Sequence, residues 1–139
     1  TAPQFEAVDT DGKPFTLAEA IKEKPVLLVF WSLFCGTCRD ELPIMNSFAT
    51  RYGDTGLVVI AVDVREDVGT VNAFAQELGL RFPVGLDESG AAQQAWGAYA
   101  LPVHFWIDAE GIVRDVRVGP MNQELMREKL ATILATRRG

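Results

Sequence analysis

The chain has 139 residues, with thirteen Lys plus Arg against nineteen Asp plus Glu and a formal net charge of −6. That length predicts a single domain, 1–139, which buries about two-thirds of its unfolded surface and needs no metal or disulfide staple to fold. The acidic balance argues against binding nucleic acid or an anionic membrane surface, since both draw affinity from cations.

The composition, 48% hydrophobic and 23% charged, is that of a globular domain, without the biases of disordered, collagenous or coiled-coil chains. Apolar runs such as Val26–Trp31 are six residues long, where a membrane-spanning helix needs about twenty. The chain opens on Thr1 rather than methionine, as expected of a processed or trimmed protein.

Phe5 to Val8 alternates weakly before a dense turn signal, 9–14, so a first hairpin is expected there. Thr16 is placed to cap a short helix reaching Ile21. Val26 to Ser32 is continuously apolar, β-branched and aromatic, the pattern of a parallel strand buried on both faces. A helix is expected from about Cys35 to Tyr52, because Leu42, Met45, Phe48, Ala49 and Tyr52 fall at helical spacing and Gly53 supplies a stop.

Leu57 to Val64 reads as a second buried strand. Asp67 can cap a following helix with the apolar stripe Val68, Val71, Phe74, Ala75 and Leu78, ended by Gly79. Phe82 to Leu86 is a further short strand, followed by a helical stretch over 91–96. Val103 to Ile107 and Ile112 to Val118 flank the turn signal 108–111 and form an antiparallel hairpin. Asn122 caps a last helix to about Ala135, with Met126, Leu130, Ile133 and Leu134 inward. The succession predicts an α/β domain: a central mixed sheet with helices on both faces.

Cys35-Gly36-Thr37-Cys38 stands where the apolar strand hands over to a helix. Unpaired amides and the helix dipole at that end favour an anion, so Cys35 is expected to be the reactive thiolate. Cys38, about one turn on, is placed to attack a mixed disulfide formed at Cys35 and release the reduced partner. Zinc would need two more Cys or His, and His104 is the single histidine, so no metal is expected. A structural disulfide or an inert pair are the bland alternatives.

The segment Phe30 to Cys38 resembles the active-site segment of thioredoxin-fold proteins, with Trp31 four residues before the first cysteine. Pro43 matches the proline within that fold's active-site helix, and Leu101-Pro102 resembles its cis-proline loop. Cys38 to Pro43, the added strand and helix between Leu57 and Leu86, and Phe82-Pro83-Val84 resemble the TlpA/ResA-like branch of the AhpC/TSA-Redoxin superfamily. That branch implies a thioredoxin-like fold with an N-terminal hairpin and a βα insertion after the active-site helix. It also implies an extracytoplasmic thiol-disulfide oxidoreductase, often membrane-anchored, that needs no cofactor beyond its redox-active cysteine pair.

By the same resemblance the chain reduces disulfide-containing proteins, apocytochrome c among them, in cytochrome c maturation. It would take electrons from a membrane donor and act as a monomer. Gly36, Thr37, Trp31, Phe34, Leu101 and Pro102 would contact the substrate, Leu101 through backbone pairing with an extended partner.

Two departures stand out. Thioredoxin carries a buried aspartate six residues before its first cysteine, where this chain has Val29. Glu41, three residues after Cys38, matches a glutamate of the ResA-like group and could accept or relay the Cys38 proton; the bland reading is an exposed helix glutamate. Val103 and His104 replace threonines common in the family, and His104 reads as a core or strand-face residue rather than a catalytic one. Trp96 and Trp106 read as packing.

Two other functions share the fold. In a peroxiredoxin-like peroxidase Ser32 would match the Ser or Thr three residues before the reactive cysteine, but Leu28 stands where that motif has proline. The third is a redox-responsive binding module or chaperone without catalysis.

Overall fold

Residues 6–8, 14–16, 24–32, 36–64, 71, 73, 76, 79, 84–87 and 89–135 are described by the structure, a computed structural model. Its centre is β3 (Val26–Trp31), fully buried along its length, as a run with no polar residue must be when helices cover both sides of a sheet. β3 pairs in parallel with β4 (Val58–Val64), which pairs in parallel with β5 (Val84–Asp87). On its other side β3 pairs antiparallel with β6 (Val103–Ile107), and β6 with β7 (Val113–Val118).

The N-terminal hairpin of β1 (Glu6–Val8) and β2 (Pro14–Thr16) joins through β1 to β5, giving one seven-stranded sheet in the order β2-β1-β5-β4-β3-β6-β7. The mixed sheet expected from the sequence is therefore present, with its parallel strands central. Thr16, expected to cap a short helix, is instead the last residue of β2, opposite Glu6; the rest of that helix, to Ile21, and the Asp67 cap lie outside the described residues.

The helix α1 (Gly36–Tyr52) leaves the carboxyl end of β3, with Pro43 inside it. Gly53 does not stop it in the expected way: it opens a 3-10 turn, Gly53–Thr55, and the left-handed residue is Gly56 at φ 89°. A side chain at φ > 0 crowds the following carbonyl, so the chain reverses where the Cβ is absent. Val71, Ala73 and Gln76 are helical, with Val71 buried and the other two exposed, and Gly79 follows at φ 63°.

The short α2 (Ala91–Trp96) is fastened by the last residue of β5. Asp87 Oδ1 accepts the Ala92 N–H at 3.0 Å and Oδ2 the Gln93 N–H at 2.8 Å, meeting two amides that an isolated helix start leaves unpaired. Asn122 Oδ1 accepts the Leu125 N–H at 2.8 Å and so caps α3 (Gln123–Ala135), as its position predicted.

Alternation along the strands sorts the core into two layers. Leu27, Val29, Trp31, Val59, Ala61 and Trp106 face α1 and α3, meeting Leu42, Met45, Phe48, Met126, Leu130 and Ile133. Leu28, Phe30, Ile60, Val62 and Phe105 face α2 and pack on Ala92 and Trp96. Trp106 stands edge-on to Phe48, ring centroids 6.3 Å apart, and Trp96 edge-on to Phe105 at 4.7 Å; both tryptophans are packing residues, as expected. The β6–β7 turn is organised by Asp108, whose Oδ1 accepts the Glu110 and Ile112 amides at 2.9 and 3.1 Å while Oδ2 accepts from Arg114 Nε at 2.6 Å.

Candidate functional site

Three chain segments converge at one end of the sheet. The antiparallel register that sets Phe30 opposite Val103 brings the bond before β6, Leu101-Pro102, to the same end as the β3–α1 junction. That bond is cis, as the family resemblance implied. Pro102 is buried, with its carbonyl accepting the Gly119 N–H at 2.8 Å, and Leu101 is half-buried against both core layers.

Gly36 and Thr37 open α1, and its first turn carries no acidic residue, so nothing there offsets the partial positive charge of the unpaired amides. Cys38 lies in that turn, 2% exposed, and is disulfide-bonded; the chain's other cysteine, Cys35, lies outside the described residues, as does Phe34. Trp31 is 1% exposed among the residues facing α1. Its expected contact with a partner gives way here to packing, because a ring at the end of a fully buried central strand is enclosed by the helix that follows.

Glu41 is 2% exposed, which overturns the exposed-glutamate reading. Its burial follows from helical geometry: Cys38, Glu41, Leu42, Met45 and Phe48 recur at three- and four-residue spacing and share the inward face of α1. Both carboxylate oxygens have partners. Oε1 accepts the Met121 N–H at 2.7 Å, and Oε2 contacts His104 Nε2.

His104 is fully buried at the second position of β6, opposite Val29 of β3, so it lies on the α1 face of the sheet. Its Nδ1 is 3.2 Å from the Arg117 carbonyl on β7. The strand-core placement expected for His104 is correct, but the sequence reading missed its pairing with Glu41, 63 residues away. The available signal was a lone polar residue within the apolar run Val103 to Ile107, which burial obliges to find a partner.

A cavity of about 250 Å³ adjoins the pair, lined by Asp40, Glu41, Ile44, Pro120 and Met121. A buried acid one helical turn from a buried cysteine, held at both oxygens and beside a cavity, is equipped to exchange protons with a sulfur. Among the described residues no cluster of His, Cys, Asp and Glu could hold a metal ion.

Residues 1–116 match the AhpC/TSA family. The chain is 35% identical over 132 residues to a Bacillus thuringiensis protein named thiol-disulfide oxidoreductase ResA, covering 95% of this chain and 76% of that protein. A thioredoxin-family thiol:disulfide interchange protein from Chlorobium tepidum is similar in structure, with a TM-score of 0.83 and 28% identity over 96% of this chain and 94% of that one. An exposed lipoprotein thioredoxin from Streptococcus pneumoniae aligns with a TM-score of 0.80 and 27% identity over 94% of this chain and 99% of that one.

Proposed function

Because this chain belongs to the AhpC/TSA family and is a thiol-disulfide oxidoreductase with a thioredoxin-like fold, we propose that it reduces protein disulfides by exchange through Cys35 and Cys38. The observation that carries the reading is the position of Cys38. It is buried in the first turn of the helix leaving the central strand, one turn ahead of a buried carboxylate.

The Cys35 thiolate, favoured by the amino end of α1, attacks a substrate disulfide and forms a mixed disulfide. Cys38 then loses its proton towards Glu41 and attacks the Cys35 sulfur. The substrate cysteine leaves as a thiolate, protonated by solvent, and the two electrons of the dithiol have passed to the substrate. Leu101 and Pro102, with Gly36, Thr37 and Phe34, form the surface on which an extended substrate lies. Trp31 backs that surface from the core.

The cysteine pair works without a bound cofactor or metal. Substrates are exported proteins that carry disulfides, apocytochrome c among them, and a membrane donor reduces the enzyme again, so the chain acts outside the cytoplasm in cytochrome c maturation. Likeness to an exposed lipoprotein thioredoxin supports that location. The whole of residues 1–139 serves as one domain and acts as a monomer.

The test is the equilibrium potential of the cysteine pair, titrated against a thiol buffer. A value towards about −270 mV is expected of a reductant, and one near −120 mV would reverse the direction. Cys38→Ser should accumulate the mixed disulfide with a disulfide-containing protein substrate, and Cys35→Ser should be inactive. Full activity in Cys35→Ser would remove the exchange mechanism.

A further inference from the structure

His104 lies opposite Val29, the position at which thioredoxin has its buried aspartate, and from the neighbouring strand it reaches the acid supplied by α1. The hydrogen-bond inventory of the pair is closed. The Arg117 carbonyl can only accept, so His104 Nδ1 carries a hydrogen; the Met121 N–H can only donate, so Glu41 Oε1 acts there as an acceptor. What remains is the contact between Nε2 and Oε2. Two protons there would set donor against donor, and none would set lone pair against lone pair. One proton makes the bond, and it also makes the pair neutral overall, the state burial favours.

We propose that His104 is a positioning residue of the exchange reaction, holding jointly with Glu41 a single proton that passes to and from Cys38. This rests on the reading that Glu41 serves the Cys38 sulfur. When an incoming thiolate attacks Cys35, the Cys35–Cys38 bond breaks and its electron pair leaves on the Cys38 sulfur. The shared proton moves to that sulfur, and the negative charge passes to the pair. When Cys38 later attacks a mixed disulfide, the emptied pair takes the proton back. The pair's capacity of one proton matches the one that Cys38 must gain or lose in each half-reaction.

The surroundings of the pair are largely apolar. β3 presents Leu27, Val29 and Trp31, and α3 presents Met126, Leu130 and Ile133. The other titratable or charged groups on this side, among the described residues, are few. Asp63 of β4 is buried opposite Trp31, two residues along the ladder from the row of Val29 and His104. Arg117 of β7, whose side chain is exposed, the ion pair of Asp115 on β7 with Lys129 on α3, and Asp40 at the rim of the cavity are the others, with Glu124, Arg127 and Glu128 exposed on α3. The contact between His104 Nε2 and Glu41 Oε2 is where the proton is shared.

The test measures opening of the enzyme's disulfide by a small thiol from pH 6 to 9, corrected for ionisation of the attacking thiol. The proteins are the wild type, H104Q, E41Q and the double variant. In H104Q the glutamine amide can donate to Glu41 but cannot pass on a proton, so the rate at pH 7 should fall about tenfold, part of the span typical of acid–base catalysis. The corrected rate should also lose its decline with rising pH, which a merely structural role would leave in place. The double variant should be no slower than E41Q.

A slow E41Q beside an unchanged H104Q would remove His104 and leave Glu41 in its role. Unchanged rates in both would remove the Glu41 reading as well. Fully additive losses would make His104 structural. Should H104Q fail to fold, a histidine 15N spectrum of the wild-type protein decides: a protonated Nδ1 is expected, and a bare Nδ1 with the proton fixed on Nε2 would overturn the proposal.

Discussion

Replacing Glu41 by alanine and by glutamine separates the stability of the buried pair from its chemistry. Alanine removes the acceptor of the Met121 N–H and the partner of His104 Nε2, both in residues that are buried. Each buried polar group left without a partner costs about 1–3 kcal/mol, giving about 2–6 kcal/mol for two. The adjoining cavity of about 250 Å³ lets water reach the vacated space and satisfy part of that demand. The expected loss for Glu41→Ala is therefore about 2–4 kcal/mol, a fall in Tm of about 6–12 °C for a domain of this size.

Glutamine keeps the shape. Its oxygen can accept the Met121 N–H and its amide can donate to His104 Nε2 when Nδ1 carries the imidazole hydrogen. Glu41→Gln should lose less than about 1 kcal/mol, since every bond is replaced. Urea denaturation of the oxidised proteins, with the same m-value required of all three, measures both differences. Glu41→Ala within 0.5 kcal/mol of wild type, roughly the noise of a surface substitution, would refute the claim that these bonds stabilise the fold. Glu41→Gln as damaging as Glu41→Ala would refute the assigned proton inventory.

Three further outcomes follow from the packing. Asp87→Ala removes the acceptor of two amides at the start of α2 and should cost about 1–2 kcal/mol, read by denaturant titration. Trp106→Ala empties the space beside Phe48 and should cost about 3–5 kcal/mol; a smaller loss would mean that the core collapses into the gap.

At Asp108, burial by itself raises the pKa, but the hydrogen bonds from Arg114, Ile112 and Glu110 and the Arg114 charge outweigh it and hold the carboxyl below its usual range. A depressed folded-state pKa contributes stability above the unfolded value of about 3.9 and loses it as pH falls through the folded one. Asp108→Asn should therefore be about 1 kcal/mol less stable at pH 7, since Arg114 is partly exposed and screened. The gap from wild type should close in strong acid, and a gap unchanged at pH 2 would dismiss the ionised Asp108 as its source.

Much of this molecule is readable from local pattern. Val26 to Trp31 is apolar enough to be a central strand, and the acidic, β-branched and glycine punctuation around it marks β4 to β7, α2 and α3 to within about two residues. Cys38 could be placed at the strand–helix junction for the same reason. Gly53 shows the limit at a boundary: two glycines, Gly53 and Gly56, stand near the end of α1, and which one takes the left-handed conformation depends on how the turn meets β4.

The burial of Glu41 was implicit in sequence, because it falls on the inward stripe of α1 with Leu42 and Met45. Its partners were not. Met121 and His104 are 80 and 63 residues away, and no periodicity or motif relates positions at such separations. They meet because β6 runs antiparallel beside β3 and α3 packs beside α1. Sequence alone determined that this chain carries a dithiol at a helix start on an α/β sheet, since those features arise from neighbouring residues. Only the tertiary structure decided which groups surround the acid beside Cys38, because a proton needs atoms within bonding distance, and distance is set by packing.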